Sequence, residues 1–565
     1  MYVAKIPNRG SKPAALLRES YREGGKVKNR TIANLSHLPP EKIDLLQRVL
    51  AGEKLVSASE LVETTATLPS GHVRAVLGMM KKLGMADLVS SRPCRERSLV
   101  LGMIAERLLH PASKLGTLRL WGTSTLASEL GVEDAKPEEL YKALDWLLGR
   151  QNRIETKLAG RHLSEGGLAL YDASNSLYEG SHCPLARLGH DKDGRRGAAV
   201  IAFGMMTDRE GRPVALQVYP GNTGDPSTVV DQVLKLRTQF GLSEVVVVGD
   251  RGMVTRPNIE YLRRNPGLGW ITALRTEAIR KLADGGSLQM SLFDERNMAE
   301  IESPDFPGER LVACFNPFLA EERRRNRESL LAATERLLTK VQDEVASRTA
   351  KPLTDGEIGK KVGRAVHRHK MAKHFEVDIA GGKLSWTRKD ESIRREAELD
   401  GIYVIRTSEP VGRLAAEDAV RGYKLLAEVE RAFRCLKGFD LRVRPVYLRD
   451  EDHVRAHFFL CMLAYYVEWH MRVALAPLLF EDPKVAQDRA TRDPVARPEP
   501  SDSVKAKKKS KKTPEGLPVQ SFSTLLAALS TQARVTYRVG AKDATFDQVT
   551  RPTPLQERAF DLLGV

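Results

Sequence analysis

Two apolar stretches of the sequence run straight into a carboxylate. GLALYDAS reaches Asp172, and VVVVGDRGM runs four valines into a glycine and then Asp250. Both segments read as β-strands, and a strand terminus is a rigid platform with an open edge. If the strands are neighbours, both carboxylates emerge at one end of a sheet. They would repel, and one would be driven to protonate unless a cation lies between them. A divalent ion removes that conflict, and hard oxygen donors of this kind suit Mg2+ or Mn2+. An aspartate taken alone reads first as a strand-end turn or a helix cap. The pair, on apolar strands inside a basic chain, points to metal.

A third acid lies far along the chain. Tyr423, Glu430 and Lys437 are spaced by seven residues, two helical turns each. At about 100° per residue they fall within roughly 40° on one helix face, with Leu426 on that face and Glu428 nearly opposite. Glu430, rather than Glu428, therefore shares a stripe with an aromatic ring and a cation. A solvated charged helix has the same pattern.

Composition bounds what these residues serve. The chain has 565 residues, room for three or four domains at about 150 residues each. A formal charge of +16 and a pI near 9.5 point to a polyanion, most simply nucleic acid, or to a solvated basic surface. No run reaches the roughly 18 apolar residues of a membrane span. The nearest, 457–480, contains Glu468, His470 and Arg472 and reads as a buried core helix. The start has no apolar signal core, so a cytoplasmic protein without a membrane partner is expected. Five dispersed cysteines (Cys94, Cys183, Cys314, Cys435, Cys461) give neither a zinc spacing nor a disulfide framework.

Elements must position the acids. From residue 167 the order is strand, hairpin, helix, strand, helix, strand. DREGRP marks the hairpin turn. GDPSTVVDQVLKLRTQFG opens a helix with Asp225 as N-cap. A run as apolar as VVVV fits the centre of a mixed sheet with helices on both faces. The reading divides the chain as follows. Residues 1–40 are basic strands with a Gly-Gly turn, and 41–165 are helical, either a DNA-binding domain or an inert bundle. Residues 166–275 are the first part of the α/β core. Residues 276–399 are an insertion of charged helices and the hairpin HFEVDIAGGKLSWTRK. Residues 400–480 resume the core and carry the acidic helix. Residues 481–518, with six lysines in VKAKKKSKK, are expected to be a disordered basic linker, and 519–565 a C-terminal segment.

Taken together, these residues resemble a bacterial insertion-sequence DDE transposase with a Tyr-Arg-Glu-Lys motif on its catalytic helix. YDASNSLYEG, HDKDGRRG, TDREGRPVALQVYPGNTGDP and VVVGDRGM resemble the regions around that family's first two aspartates, and VERAFRCLKGFDLRVRPVY the third acidic region. The frame here is Tyr423, Leu426, Glu430, Lys437, with the spacing kept and the arginine replaced by leucine. The resemblance implies an RNase H-like core with an insertion before the glutamate. It also implies a triad of Asp172, Asp250 and Glu430 holding two divalent ions. Its partners would be DNA, both the terminal inverted repeats and the target, gripped by a homodimer on paired ends. The activity implied is cleavage at the element's ends and strand transfer. The alternatives are a catalytically silent DNA-binding descendant and a nuclease that does not join. Tyr423 and Lys437 are expected at the DNA backbone. Arg434, one turn beyond Glu430, is the substitute for the missing arginine. Arg251 either touches phosphate or pairs with a carboxylate. Trp386 either stacks on a flipped base or packs its hairpin. Gly249 and Gly252 either shape a turn or keep the backbone slim beside metal and phosphate.

Overall fold

The computed structural model describes residues 1–8, 10–54, 62–189, 197–482, 485–497, 499–539 and 544–565. HDKDGRRG, except for its final glycine, lies outside the described residues. The chain forms two units, Met1–Leu68 with Ala533–Thr550, and Pro69–Gln532 with Arg551–Val565.

In the smaller unit, Gly24 and Gly25 take the positive φ (58° and 76°) that a two-residue hairpin turn demands. They join β2 (Ser11–Glu23) to β3 (Lys26–Asn34), and β1 (Tyr2–Asn8) pairs the other edge of β2. Val3, Ala15 and Ile43 of the Pro40–Leu50 helix make a small core on one face. A second sheet runs β17 (Ala544–Val549), β16 (Ala533–Val539), β4 (Val62–Pro69). Residues expected to be helical, 62–69, are thus a strand paired to the far end of the chain. The Thr65 hydroxyl donates to the Thr536 carbonyl at 3.2 Å.

In the larger unit, four consecutive valines offer water no polar face, so their strand must be covered twice. That strand, β9 (Val245–Gly249), is buried along its length. Val246 and Val248 join one core with Leu170 and Ile271. Val245 and Val247 join the other with Ala169, Val229 and Leu262. The hairpin β7 (Ala199–Thr207) and β8 (Pro213–Pro220) pairs antiparallel with β5 (Gly167–Leu177). The two-residue β6 (Arg187–Leu188) also pairs β7. On the other side of β5 run β9 and β10 (Leu268–Ala273), both parallel to it. The order β8–β7–β5–β9–β10 is the RNase H-like arrangement. The helix after the β7–β8 hairpin spans Asp225–Leu234 with Gly224 as its N-cap, one residue earlier than the Asp225 cap expected.

The insertion does more than interrupt this sheet. β11 (Met298–Ile301) and β12 (Arg310–Phe315) come from it and extend the sheet beyond β15 (Ile402–Thr407). Its helices Pro317–Ser347 and Asp355–Arg368 pack with the β13 (Phe375–Ala380) and β14 (Lys383–Arg388) hairpin in a core of their own. The helix Glu451–Leu475 is buried over most of its length. Among the described residues, no helix is long and apolar enough to cross a membrane.

The lysine-rich segment corrects the expectation of a disordered linker. It contains helices Val485–Thr491 and Asp502–Ser510. Lys507 is buried, and its ammonium donates to the carbonyls of Ala476, Leu479 and Glu481 at 2.9, 2.8 and 2.7 Å. Composition alone treats every lysine as solvated. Here helical spacing turns Val504 and Lys507 inward together, and the open carbonyls after a long helix supply the acceptors. Lys507→Ala should strand those carbonyls at a cost of roughly 1–3 kcal/mol. Trypsin is then expected to cut 481–518 about ten-fold faster than in the wild type, measured by limited proteolysis. Equal rates would mean that the lysine secures nothing.

Candidate active site

Strand alternation decides where the two aspartates point. β5 runs parallel to β9 with Leu170 beside Val248 and Tyr171 beside Gly249, which sets Asp172 beside Asp250 one step on. Alternate side chains share a face, so Asp172 follows Leu168 and Leu170, and Asp250 follows Val246 and Val248. Those four side chains lie in the core that also holds Val429, Phe433 and Leu436 of the helix Leu426–Lys437. Adjacent strands are about 4.8 Å apart, so the two acids flank each other under that helix, Asp250 just past the end of β9 and Asp172 inside β5, which runs on to Leu177 instead of ending at the acid as expected. Asp172 is half-buried and Asp250 exposed. The Ala173 N–H donates to the Asp172 carboxylate at 2.8 Å, and the Gly252 N–H to that of Asp250 at 3.4 Å.

The bareness around Asp250 serves the turn itself. The N–H groups of Met253 and Val254 fold back onto the Asp250 carbonyl at 2.9 and 3.2 Å. A Cβ on Gly249 would sit 2.8 Å from the Val254 side chain. Gly252 has only ordinary space around it, with Asp250 at 3.6 Å.

The helix expected to carry Tyr423, Glu430 and Lys437 as one stripe is two helices, Ala416–Lys424 and Leu426–Lys437, broken at Leu425. The Leu425 N–H is shared between the carbonyls of Arg421 and Gly422, and the Glu428 N–H turns back to Leu425 at 2.8 Å. This is a tighter, 3-10-like turn. Leu425 itself keeps right-handed helical backbone angles, φ −65° and ψ −17°. Leu426 is buried. The two segments rest on different strands. The first packs on β9, β10, β12 and β15, and the second on β5 and β7. Gly422 lets the first approach closely, since a Cβ there would lie 3.0 Å from Ile271. Phe433 pins the second, edge-on to Phe203 of β7 at 5.3 Å.

The first segment delivers Tyr423 to Asp250, where its phenol donates to Oδ1 at 3.1 Å. Burial, and then the Asp250 carboxylate, push that phenol well above its ordinary range, so it stays a donor. Among the charges that raise the phenol, Glu430 contributes the least. Glu430 itself is exposed, with Arg434 at 3.7 Å. Glu428 turns the other way and is ion-paired with Arg489, its side chain only 12% exposed.

The remaining sequence candidates divide. Arg251 is exposed and lines, with Asp250 and Tyr423, a cleft of about 290 Å³. Lys437 is half-buried in the last turn of the Glu430 helix. Trp386 packs in the insertion's own core, edge-on to Phe375 at 6.0 Å. Sequence reasoning missed Arg323, which lines the same cleft from the insertion's long helix and donates to the carbonyls of Leu399 and Ile402 at 3.1 and 3.3 Å. It sits in the run RRRNR, where nothing local distinguishes it from its neighbours.

The donor set fits a hard divalent ion, being carboxylate oxygens only. Among the described residues, a tighter trio lies elsewhere: Cys435, Asp440 and Glu468 converge within 4.8 Å. That trio already has its cation. The Arg472 guanidinium donates to Glu468 at 2.6 Å and lies 3.0 Å from Asp440. Burial and the Glu468 carboxylate also push the Cys435 thiol up, away from the thiolate a metal needs.

Residues 167–467 match the family model described as the transposase DDE domain. Residues 3–64 match that of the IS1634 family transposase N-terminal domain. No curated protein matches. Among solved structures, the chain is similar to that of a piggyBac transposase synaptic complex with hairpin DNA, at 9% identity over 81% of this chain and 76% of the other. The TM-score of 0.32 is too low for that likeness to carry weight.

Tyr423→Phe removes the donor to Asp250 and should cost about 1 kcal/mol near neutral pH. The native phenol is raised, so the wild-type advantage is full below the phenol's ordinary value of 10 and is lost as pH climbs toward the native value. Urea midpoints of both proteins at pH 8 and pH 10.5 check this. An advantage that does not shrink would show that the phenol titrates normally.

Proposed function

The chain belongs to the transposase DDE-domain family, and we propose that it cuts DNA at the ends of an insertion sequence and joins those ends to a target. Asp172, Asp250 and Glu430 are the proposed ligands of two divalent ions, Mg2+ or Mn2+. The observation that carries this reading is the in-register pair Asp172 and Asp250, on the sheet face that the Glu430 helix covers.

Two divalent ions held by Asp172, Asp250 and Glu430 would supply activation of a water or a 3′-hydroxyl and stabilisation of the leaving oxygen of the phosphodiester. The chain's residues supply the rest. Sheet register fixes two carboxylates that would otherwise relax apart. Tyr423 orients Asp250 by donating to Oδ1 and remains neutral while doing so. Glu430 would complete the ligand set from the helix that covers this sheet face, where its side chain is exposed. Arg251, Arg434, Lys437 and Arg323 line the approach of a phosphate backbone. Trp386, packed in the insertion, is assigned to its hairpin and not to a flipped base. One site serves cutting and joining, because both are attacks on phosphorus by an activated oxygen. A homodimer on paired ends suits a reaction that must act on two ends together.

A supercoiled plasmid carrying the inverted repeats that flank the gene tests the reading. With Mg2+, excised ends and joined products are expected, and chelation abolishes both. Nicks without joining indicate a nuclease, and retention without cleavage a silent binder. Asp172→Asn, Asp250→Asn and Glu430→Gln should each lower cleavage at least a hundred-fold while end binding persists. Glu428→Gln should leave cleavage within a few-fold of wild type. The reverse ranking of the two glutamates would refute the assignment of the third acid.

A further inference from the structure

Residue types alternate along the β2–β3 hairpin in a way that no packing need explains. The pairing of β1 with β2 reaches Arg18, and from there β2 and β3 run on to the Gly24–Gly25 turn as a two-stranded ribbon. Directly opposed residues share a face. One face carries Glu19 opposite Arg30, Tyr21 opposite Lys28, and Glu23 opposite Lys26. Its acids are matched by bases, with Arg30 to Glu19 at 2.6 Å and Lys28 to Glu23 at 2.7 Å. Ala15, on the same side of β2, packs against Ile43 of the Pro40–Leu50 helix.

The opposite face carries Arg18 opposite Thr31, Ser20 opposite Asn29, and Arg22 opposite Val27. It holds no acid. Ser20, Arg22, Asn29 and Thr31 are exposed, and Val27 is 62% exposed near the tip. Ser20 donates to the Asn29 carboxamide oxygen at 2.6 Å, which orders the amide.

We propose that this acid-free face enters the major groove of duplex DNA and reads base sequence. The inference rests on the transposase reading above and supplies its recognition step, which the carboxylate site cannot provide. Three features commit the face to this occupant. Two arginines without an acid among them complement a polyanion. Arginine, asparagine, serine and threonine are the side chains that pair with base edges, and a small apolar group suits a thymine methyl. The ribbon's six residues per strand span about 20 Å, and a major groove about 12 Å wide admits a two-stranded ribbon.

Full-length protein incubated with a randomised 30-base-pair duplex library, followed by sequencing of the retained DNA, tests the proposal. The wild type should enrich a motif, and a major-groove dye such as methyl green should displace the bound duplex. Arg22→Ala and Asn29→Ala should each lose roughly ten-fold in preference at one or two base pairs, with the rest of the motif kept. Glu23→Ala, on the other face, should enrich the wild-type motif. The proposal is overturned if the Arg22→Ala/Asn29→Ala double variant, folded by circular dichroism, enriches the same motif equally. It is also overturned if the wild type enriches none, or if only an acidic protein competes for the ribbon. Mg2+-dependent plasmid cleavage by the same preparations separates the two readings. An unchanged motif with intact cleavage sinks the ribbon alone, whereas loss of all cleavage in the wild type sinks the active-site reading.

Discussion

Backbone register between β5 and β9 is what sets Asp172 beside Asp250, and the larger unit is built to hold that register. β5 and β9 are joined by backbone hydrogen bonds up to the residues preceding the acids. Both strands are buried on both faces, so neither can slide without exposing valines. The turn after Asp250 closes on its own carbonyl.

The helices above the sheet divide a task that a single straight helix would do poorly. One segment must bring a neutral donor, Tyr423, into contact with Asp250. The next carries an exposed acid, Glu430, and packs on β5 and on β7, the latter through Phe433. The break at Leu425 lets each lie on its own strands. It also explains why leucine is tolerated at 426, where the resembling motif has arginine. The position is buried, and a guanidinium there would have no route to a phosphate.

Local pattern made much of this legible. Four valines before Asp250, the Gly-Gly turns and the β7–β8 hairpin are written in neighbouring residues; Asp250 does follow the end of its strand, whereas Asp172 lies inside β5 because pairing with β7 carries that strand on to Leu177. Non-local pairings are another matter. Nothing within 298–315 announces that β11 and β12 will extend the sheet, because their partner β15 lies about ninety positions on. The helix break was invisible because helical periodicity assumes continuity, and Gly422 acts through a contact with β10. Lysine composition misled at 507, where three carbonyls outweigh solvation. Arg323 was hidden among identical neighbours.

The sheet that unites β4 with β16 has a consequence in time. The Thr65–Thr536 bond spans 471 positions. At the roughly 5–20 residues per second of a ribosome, β4 emerges about half a minute to a minute and a half before its partner exists. A bare strand edge invites the wrong neighbour during such a delay. VETTATLP is suited to the wait: rich in threonine through its middle, charged near one end and closed by proline at the other. The nascent chain thus carries its own safeguard against pairing with the next polypeptide on the same message.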